Sequence, residues 1–154
     1  MTVSIGEITK NDVPCVAQIE KECFSVPFSE DDISSYIESP IWHFLVARDG
    51  DCVLGYISFT VILDECQIVN VAVTNSARGR GIGSQIITHF LSCIKEKGVG
   101  SVYLEVRESN TPAIGLYKKF GFFPIFYKAE QVAQPLSWNN DFYLRLFSSF
   151  SSTR

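Results

Sequence analysis

Long apolar runs are missing from this 154-residue chain: the stretch Ile57 to Leu63 is strand length, well short of the roughly 18 residues that cross a bilayer. A basic leader with an apolar core is also missing, because Glu7 and Lys10 interrupt the start, so a cytoplasmic protein without membrane association is expected. Histidine is scarce, with only His43 and His89, which read as structural. The five cysteines, Cys15, Cys23, Cys52, Cys66 and Cys93, are an odd number without C-x-x-C spacing. Neither a disulfide framework nor a metal site is expected, and the thiols read as buried or half-buried. The charge is 13 minus 17, or −4, and basic residues do not gather beyond Arg78, Arg80 and the Lys118-Lys119 pair. The basic stripe that nucleic acid needs is therefore absent. Mild acidity suits a cationic amine partner.

The chain does hold enough apolar residues for a single core, 46% against 19% charged, and no repeat or linker divides it. One domain over residues 1–147 is expected, with a polar tail over 148–154. Val3 to Ile8 predicts a first strand. A helix capped by Asn11 or Asp12 follows, with Pro14 in its first turn and Val16, Ile19 and Cys23 on one face. Ser29-Glu30-Asp31-Asp32 is a capping pattern for a second helix, which Pro40 stops. Trp42 to Arg48 and Cys52 to Leu63 are strands around the hairpin signal Asp49-Gly50-Asp51, and Cys66 to Val73 is another strand. Ile82, Ile86, Phe90 and Ile94 recur every four residues on a helix running to Lys97, with Gly98 at its end. Ser101 to Arg107 alternates, with Val102, Leu104 and Val106 on one face and Tyr103, Glu105 and Arg107 on the other. A short helix from Thr111 to Phe120 precedes two final strands, Phe122 to Tyr127 and Phe142 to Phe147. Strands broken by helices, with one strand–helix–strand crossover, predict a mixed α/β fold.

Arg78-Gly79-Arg80-Gly81-Ile82-Gly83 lies between the strand ending at Val73 and the helix beginning at Ile82. Glycines allow close backbone approach, and the first N–H groups of a helix lack intrahelical partners, so this turn is an anion cradle. Ser84-Gln85 stands where a P-loop needs Lys-Ser or Lys-Thr, which excludes an ATP-type cradle. The dinucleotide pattern fails in both registers, since Ser84 and Ile86 occupy the positions its last glycine requires. The remaining pattern, Arg-x-x-Gly-x-Gly at Arg78, Gly81 and Gly83, resembles the pyrophosphate signature of GCN5-related N-acetyltransferases (GNAT), which use acetyl-CoA.

Further residues extend the resemblance: Leu63-Asp64-Glu65, Asn70-Val71-Ala72-Val73, Leu104 to Asn110, Ala113, Leu116-Tyr117 and Phe120-Gly121-Phe122. They are most similar to the RimI type, the ribosomal-protein-alanine N-acetyltransferases. Pro27-Phe28-Ser29-Glu30 matches more loosely, because that type usually has Trp at position 28. The resemblance implies a mostly antiparallel sheet of six to seven strands flanked by about four helices, with a splayed parallel strand pair that binds acetyl-CoA. It implies that backbone groups of Val71, Ala72 and Val73 hold the pantetheine arm. Backbone N–H groups from Gly79 through Arg80, Gly81, Ile82 and Gly83 to Ser84 would hold the pyrophosphate, with charge from Arg78 or Arg80. Asn110 would hydrogen-bond the cofactor, and its place before Thr111-Pro112 equally suits a helix cap.

By the same resemblance Glu105 is the proton acceptor from the attacking amine and Tyr117 the proton donor to the departing thiolate. The implied partners are acetyl-CoA and a protein N-terminus, with a ribosomal protein as the family's target. A protein α-amine is about 3 kcal/mol easier to neutralise at pH 7 than a lysine, from their reference pKa values. A lysine or small-molecule amine acceptor, or a module that binds acetyl-CoA without turnover, remains open at this stage. The RimI type also places paired tyrosines near the end of the chain, where Phe126-Tyr127-Lys128 keeps one. In the 128–141 segment Trp138 reads either as a loop anchor or as a wall of the acceptor groove.

Overall fold

In the computed structural model, which describes residues 2–125 and 143–149, the chain alternates strands and helices. Its order is β1 (Val3–Glu7), α1 (Val13–Cys23), α2 (Glu30–Ile37), β2 (Trp42–Asp49), β3 (Cys52–Ile62), β4 (Glu65–Val73), α3 (Ile82–Glu96), β5 (Ser101–Arg107), α4 (Thr111–Lys119), β6 (Phe123–Ile125) and β7 (Tyr143–Ser149). Seven strands form one sheet in the order β1-β2-β3-β4-β5-β7-β6. Among the described residues only the β4–β5 pair is parallel, which requires the α3 crossover between them. Phe126, Tyr127, Lys128 and the 128–141 segment with Trp138 lie outside the described residues. The last strand runs through Ser149, because Ser148 and Ser149 pair with Val102 and Ser101; the polar composition of 148–154 had suggested that the tail starts earlier.

Two apolar layers cover the sheet. On one face Ile82, Ile86, Ile87, Phe90 and Ile94 of α3 and Tyr117 of α4 pack with Ile57, Phe59, Cys66, Ile68, Leu104 and Val106. The predicted four-residue stripe of α3 is fully buried, with Phe90 edge-on to Phe59 at 4.8 Å between ring centres. On the other face Val13, Val16, Ala17 and Ile19 of α1 and Ile33 of α2 pack on Phe44, Val46, Tyr56 and Ala72.

Helix ends show which local signals acted. The Ser29 hydroxyl accepts from the Asp32 N–H at 3.0 Å and the Asp32 carboxylate accepts from the Ser29 N–H at 2.8 Å, the reciprocal box expected for α2. Gly98 closes α3 in a left-handed conformation, φ 76°. Asp12 occupies the N-cap position of α1 but makes no side-chain cap bond there. Its carboxylate instead turns back to the Thr9 N–H and hydroxyl and to the Arg48 guanidinium, because a 3-10 turn over Lys10–Asp12 precedes the helix. The cysteines also correct the sequence reading, since Cys15 and Cys52 are exposed; only Cys66 is buried, and burial pushes its thiol up to about 12.

Candidate active site

The parallel pairing of β4 with β5 stops early. Residues Glu65 to Ile68 pair with Ser101 to Leu104, and beyond them β4 pairs only with β3 while β5 pairs only with β7. The break has a local cause on β4. Ser58 of β3 faces Asn70 and Phe59 faces Ile68, so Val69 is an extra residue, a bulge that bends the strand and raises its twist. It also shifts the alternation by one: Cys66 and Ile68 face α3 before it, whereas Val71 and Val73 do so after it, and Ala72 turns to α1. Strand β4 thus presents Val71, Ala72 and Val73 along the side where the strands have parted.

The glycine turn continues from that edge. Gly79 and Gly81 have φ of 78° and 75°, and a Cβ added to either would meet nothing within 4 Å. Glycine is required there by the left-handed backbone, and the space before it is open. Gly81 is the N-cap of α3, and the Gln85 N–H makes the first helical bond, to the Gly81 carbonyl at 3.1 Å. The N–H groups of Ile82, Gly83 and Ser84 precede that bond, as an anion site requires.

The turn is braced from beneath by α1. The Glu22 carboxylate accepts from the Thr74 hydroxyl at 2.9 Å and the Asn75 N–H at 3.1 Å, while the Thr74 N–H donates to the Leu54 carbonyl at 2.8 Å. Arg78, one of the two arginines expected to supply charge at the cradle, makes contacts within the protein. Its Nε donates to the Val73 carbonyl at 3.3 Å and its Nη2 lies 3.3 Å from the Cys23 sulfur. Arg80 is exposed on the turn.

Glu105 and Tyr117 lie on opposite faces of the sheet. Leu104 is the last β5 residue paired with β4, so Glu105 is the first residue beyond the split. Val102, Leu104 and Val106 point into the α3 layer, which puts Glu105 on the α1 side, where it is exposed. Tyr117 belongs to the α3 layer, nine-tenths buried and edge-on to Phe122 at 5.6 Å. Burial pushes its hydroxyl up to about 12, which keeps it a neutral donor at physiological pH. Asn110 caps α4, its Oδ1 accepting from the Ala113 N–H at 3.3 Å; the side-chain amide donors are a separate group, so a second role stays compatible.

Glu20 is a residue that the sequence reading passed over. It is fully buried, and its carboxylate accepts from the Phe28 N–H at 3.0 Å, from Asn70 Nδ2 at 2.8 Å and from the Tyr56 hydroxyl. Burial raises its pKa, and the bonds from Phe28 and Asn70 oppose the rise. A signal existed: Val13, Val16, Ala17 and Glu20 share the buried stripe of α1, so a carboxylate stood where an aliphatic side chain belongs. Among the described residues no group of three His, Cys, Asp or Glu could hold a metal ion, and no helix is long and apolar enough to cross a membrane.

Known proteins share this fold. The family model of the acetyltransferase (GNAT) family matches residues 13–122. The chain is 36% identical over 122 residues to a Bacillus subtilis (strain 168) protein provisionally named ribosomal protein bS18-alanine N-acetyltransferase, covering 79% of this chain and 81% of that protein. The crystal structure of the ribosomal-protein-S18-alanine N-acetyltransferase from Escherichia coli superposes with a TM-score of 0.82 at 23% identity, over 96% of this chain and 94% of that one. The PaiA N-acetyltransferase from Thermoplasma acidophilum, solved in complex with coenzyme A, superposes with a TM-score of 0.71 at 18% identity, over 97% of this chain and all of that one, 100%.

Proposed function

The chain belongs to the acetyltransferase (GNAT) family and is an N-acetyltransferase, and from that premise we propose that its acceptor is a protein N-terminal α-amine, with the alanine terminus of a ribosomal protein as the substrate. The family uses acetyl-CoA as donor. The open, left-handed Gly79 and Gly81 and the free first turn of α3 fit the pyrophosphate, and the unpaired side of Val71, Ala72 and Val73 fits the pantetheine amides. Arg80, Ile82, Gly83 and Ser84 complete the cradle. Arg78 supports it by fixing the Val73 carbonyl, and the Asn110 amide is available to the cofactor.

The observation that carries this reading is that Glu105 is the first β5 residue beyond the β4–β5 split, on the sheet face opposite the layer that buries Tyr117. Glu105, exposed toward α1, takes the proton of an amine arriving from that side, directly or through water. The amine lone pair then forms the C–N bond as the C–S bond breaks. Tyr117, buried toward α3, supplies a proton to the departing thiolate. A binding module would need neither group.

Free-thiol release from acetyl-CoA, measured across N-terminal peptides, lysine peptides and polyamines, tests the proposal. The expected result is release with an alanine-initiated peptide. Glu105→Gln and Tyr117→Phe should each lower turnover by about 10²–10⁴-fold and leave acetyl-CoA affinity near wild type. Turnover with lysine peptides or polyamines alone refutes the α-amine assignment, and wild-type turnover in both variants refutes the roles.

A further inference from the structure

Strand β1 ends before its neighbour β2 does. Its pairing stops at Glu7 opposite Leu45, and the Ile8 N–H donates to the Phe44 carbonyl at 3.2 Å before the chain enters the 3-10 turn over Lys10–Asp12. Among the described residues Trp42 and His43 thus have β3 on one side and no strand on the other. A notch opens there, a cavity of about 310 Å³, within the range of about 300–1,000 Å³ that small-molecule sites occupy. Because the sheet edge is interrupted, both apolar layers border it, Leu45 and Phe59 from the α3 side and Ile37 and Phe44 from the α1 side. Phe44, Leu45 and Phe59 are almost wholly buried and make its apolar wall.

Polar groups supply the rest of the lining. His89, Cys93 and Lys97 follow at four-residue spacing along α3, and Glu7 of β1 and His43 of β2 join them. Both histidines of the chain therefore border this cavity, and His43 stacks on Phe59 with ring centres 5.3 Å apart. Among the described residues the Glu7 carboxylate and the Lys97 ammonium have no ion-pair partner, and neither imidazole has a hydrogen-bond partner. Both charges nevertheless act inside the cavity. Burial and Lys97 hold His43 below its ordinary pKa while Glu7 opposes them, and burial, Glu96 and Glu7 push the Cys93 thiol up while Lys97 opposes them. One positive and one negative side chain face a single apolar cavity without closing on each other.

We propose that this notch binds a zwitterionic amino acid with an apolar side chain: Lys97 takes the carboxylate, Glu7 takes the ammonium, and the side chain lies against Phe44, Leu45 and Phe59. A ligand with one charge would meet the like-charged member of the pair, so the two together select for both. The site is separate from catalysis. None of its lining residues belongs to β4, β5 or the glycine turn, and Lys97 stands about 22 Å along α3 from Ile82, at about 1.5 Å per residue.

The histidines make the test specific to the site, because the imidazole proton resonances of the whole chain come from this cavity alone. L-leucine is titrated at constant pH into the full chain saturated with CoA, beside 3-methylbutylamine, which lacks the carboxylate, and 4-methylpentanoate, which lacks the ammonium. Both histidine signals should shift and saturate, with half-saturation below about 10 mM, the ordinary efficiency of a ligand of about nine non-hydrogen atoms. Each one-charge analogue should bind at least about threefold more weakly, the effect of one exposed ion pair. Lys97→Met should weaken leucine by that factor without weakening 3-methylbutylamine, and Glu7→Gln should weaken leucine without weakening 4-methylpentanoate. Both side chains are exposed, so the fold tolerates either change. Histidine signals that stay in place up to about 10 mM leucine, analogues that bind as well as leucine, or variants that bind leucine like wild type overturn the proposal. Loss of the shifts when a CoA–alanyl-peptide conjugate replaces CoA also overturns it, since leucine would then occupy the acceptor site.

Discussion

Replacing Gly55 by alanine should loosen the donor edge from behind. Gly55 lies in β3 between Ala47 of β2 and Val73 of β4. An added Cβ would fall 2.7 Å from the Ala72 carbonyl oxygen, 3.2 Å from Val73 Cα and 3.2 Å from Ile86 Cδ1. Close carbon–oxygen contacts in sheets settle at about 3.3–3.6 Å, so β4 must move back by about 0.6 Å. The Ile86 methyl can rotate away, but the other two atoms are backbone. Overpacking of this kind costs about 1–3 kcal/mol, and the lower unfolded-state entropy of alanine offsets about 0.4–1 kcal/mol of it. The net destabilisation expected is about 1–2 kcal/mol, seen as a lower urea midpoint. Because the displaced segment is Ala72–Val73, CoA affinity measured by calorimetry should also fall, by about tenfold for one lost hydrogen bond. Gly115→Ala in α4 is the contrast: a Cβ there meets nothing within 4 Å, and stability should rise by about 0.5–1 kcal/mol. Wild-type stability and CoA affinity in Gly55→Ala would refute the reasoning.

Two further predictions concern titrating groups. Burial tends to raise the Asp12 pKa, but the bonds from Arg48 and Thr9 prevail and hold it below the ordinary carboxylate value. Asp12 therefore stabilises the fold above about pH 4, and that contribution fades as pH falls through the carboxylate range. Asp12→Asn should cost about 3 kcal/mol at pH 7, the lower end for a buried pair because Arg48 keeps 20% of its side-chain exposure. Urea titrations at falling pH should show the two proteins converging. For Tyr117, raised to about 12, the stabilisation is complete below the unfolded value near 10 and is lost as pH climbs from 10 through 12. Relative to Tyr117→Phe, wild type should lose about 2 kcal/mol across that interval, and its turnover should not decline through this residue below about pH 10.

Where period and chemistry were local, the sequence was informative. The Ile82, Ile86, Phe90, Ile94 stripe, the Ser29–Asp32 box and the alternation that turns Glu105 away from Leu104 all depend on neighbours along the chain. Strand β4 was harder. It read as an apolar run because the Val69 bulge breaks a two-residue period whose cause lies on another strand, at Ser58 and Phe59. The motif offers Arg78 or Arg80 for charge at the cradle, but the contacts of Arg78 with the Val73 carbonyl and the Cys23 sulfur are set by tertiary packing and are not legible in it. Asp12 had the right residue type for a cap, but Arg48 is 36 residues away in sequence and claims its carboxylate.

The bracing of the glycine turn bears on how fast the donor can be captured. Glu22 on Thr74 and Asn75, and Arg78 on Val73, hold the backbone through bonds internal to the protein. Fixing a residue's backbone costs about 1–2 kcal/mol in conformational entropy, and for this turn that cost falls on folding and not on association. Capture of the donor then needs no slow rearrangement of the loop, so its association rate should rise in proportion to ligand concentration without reaching a plateau.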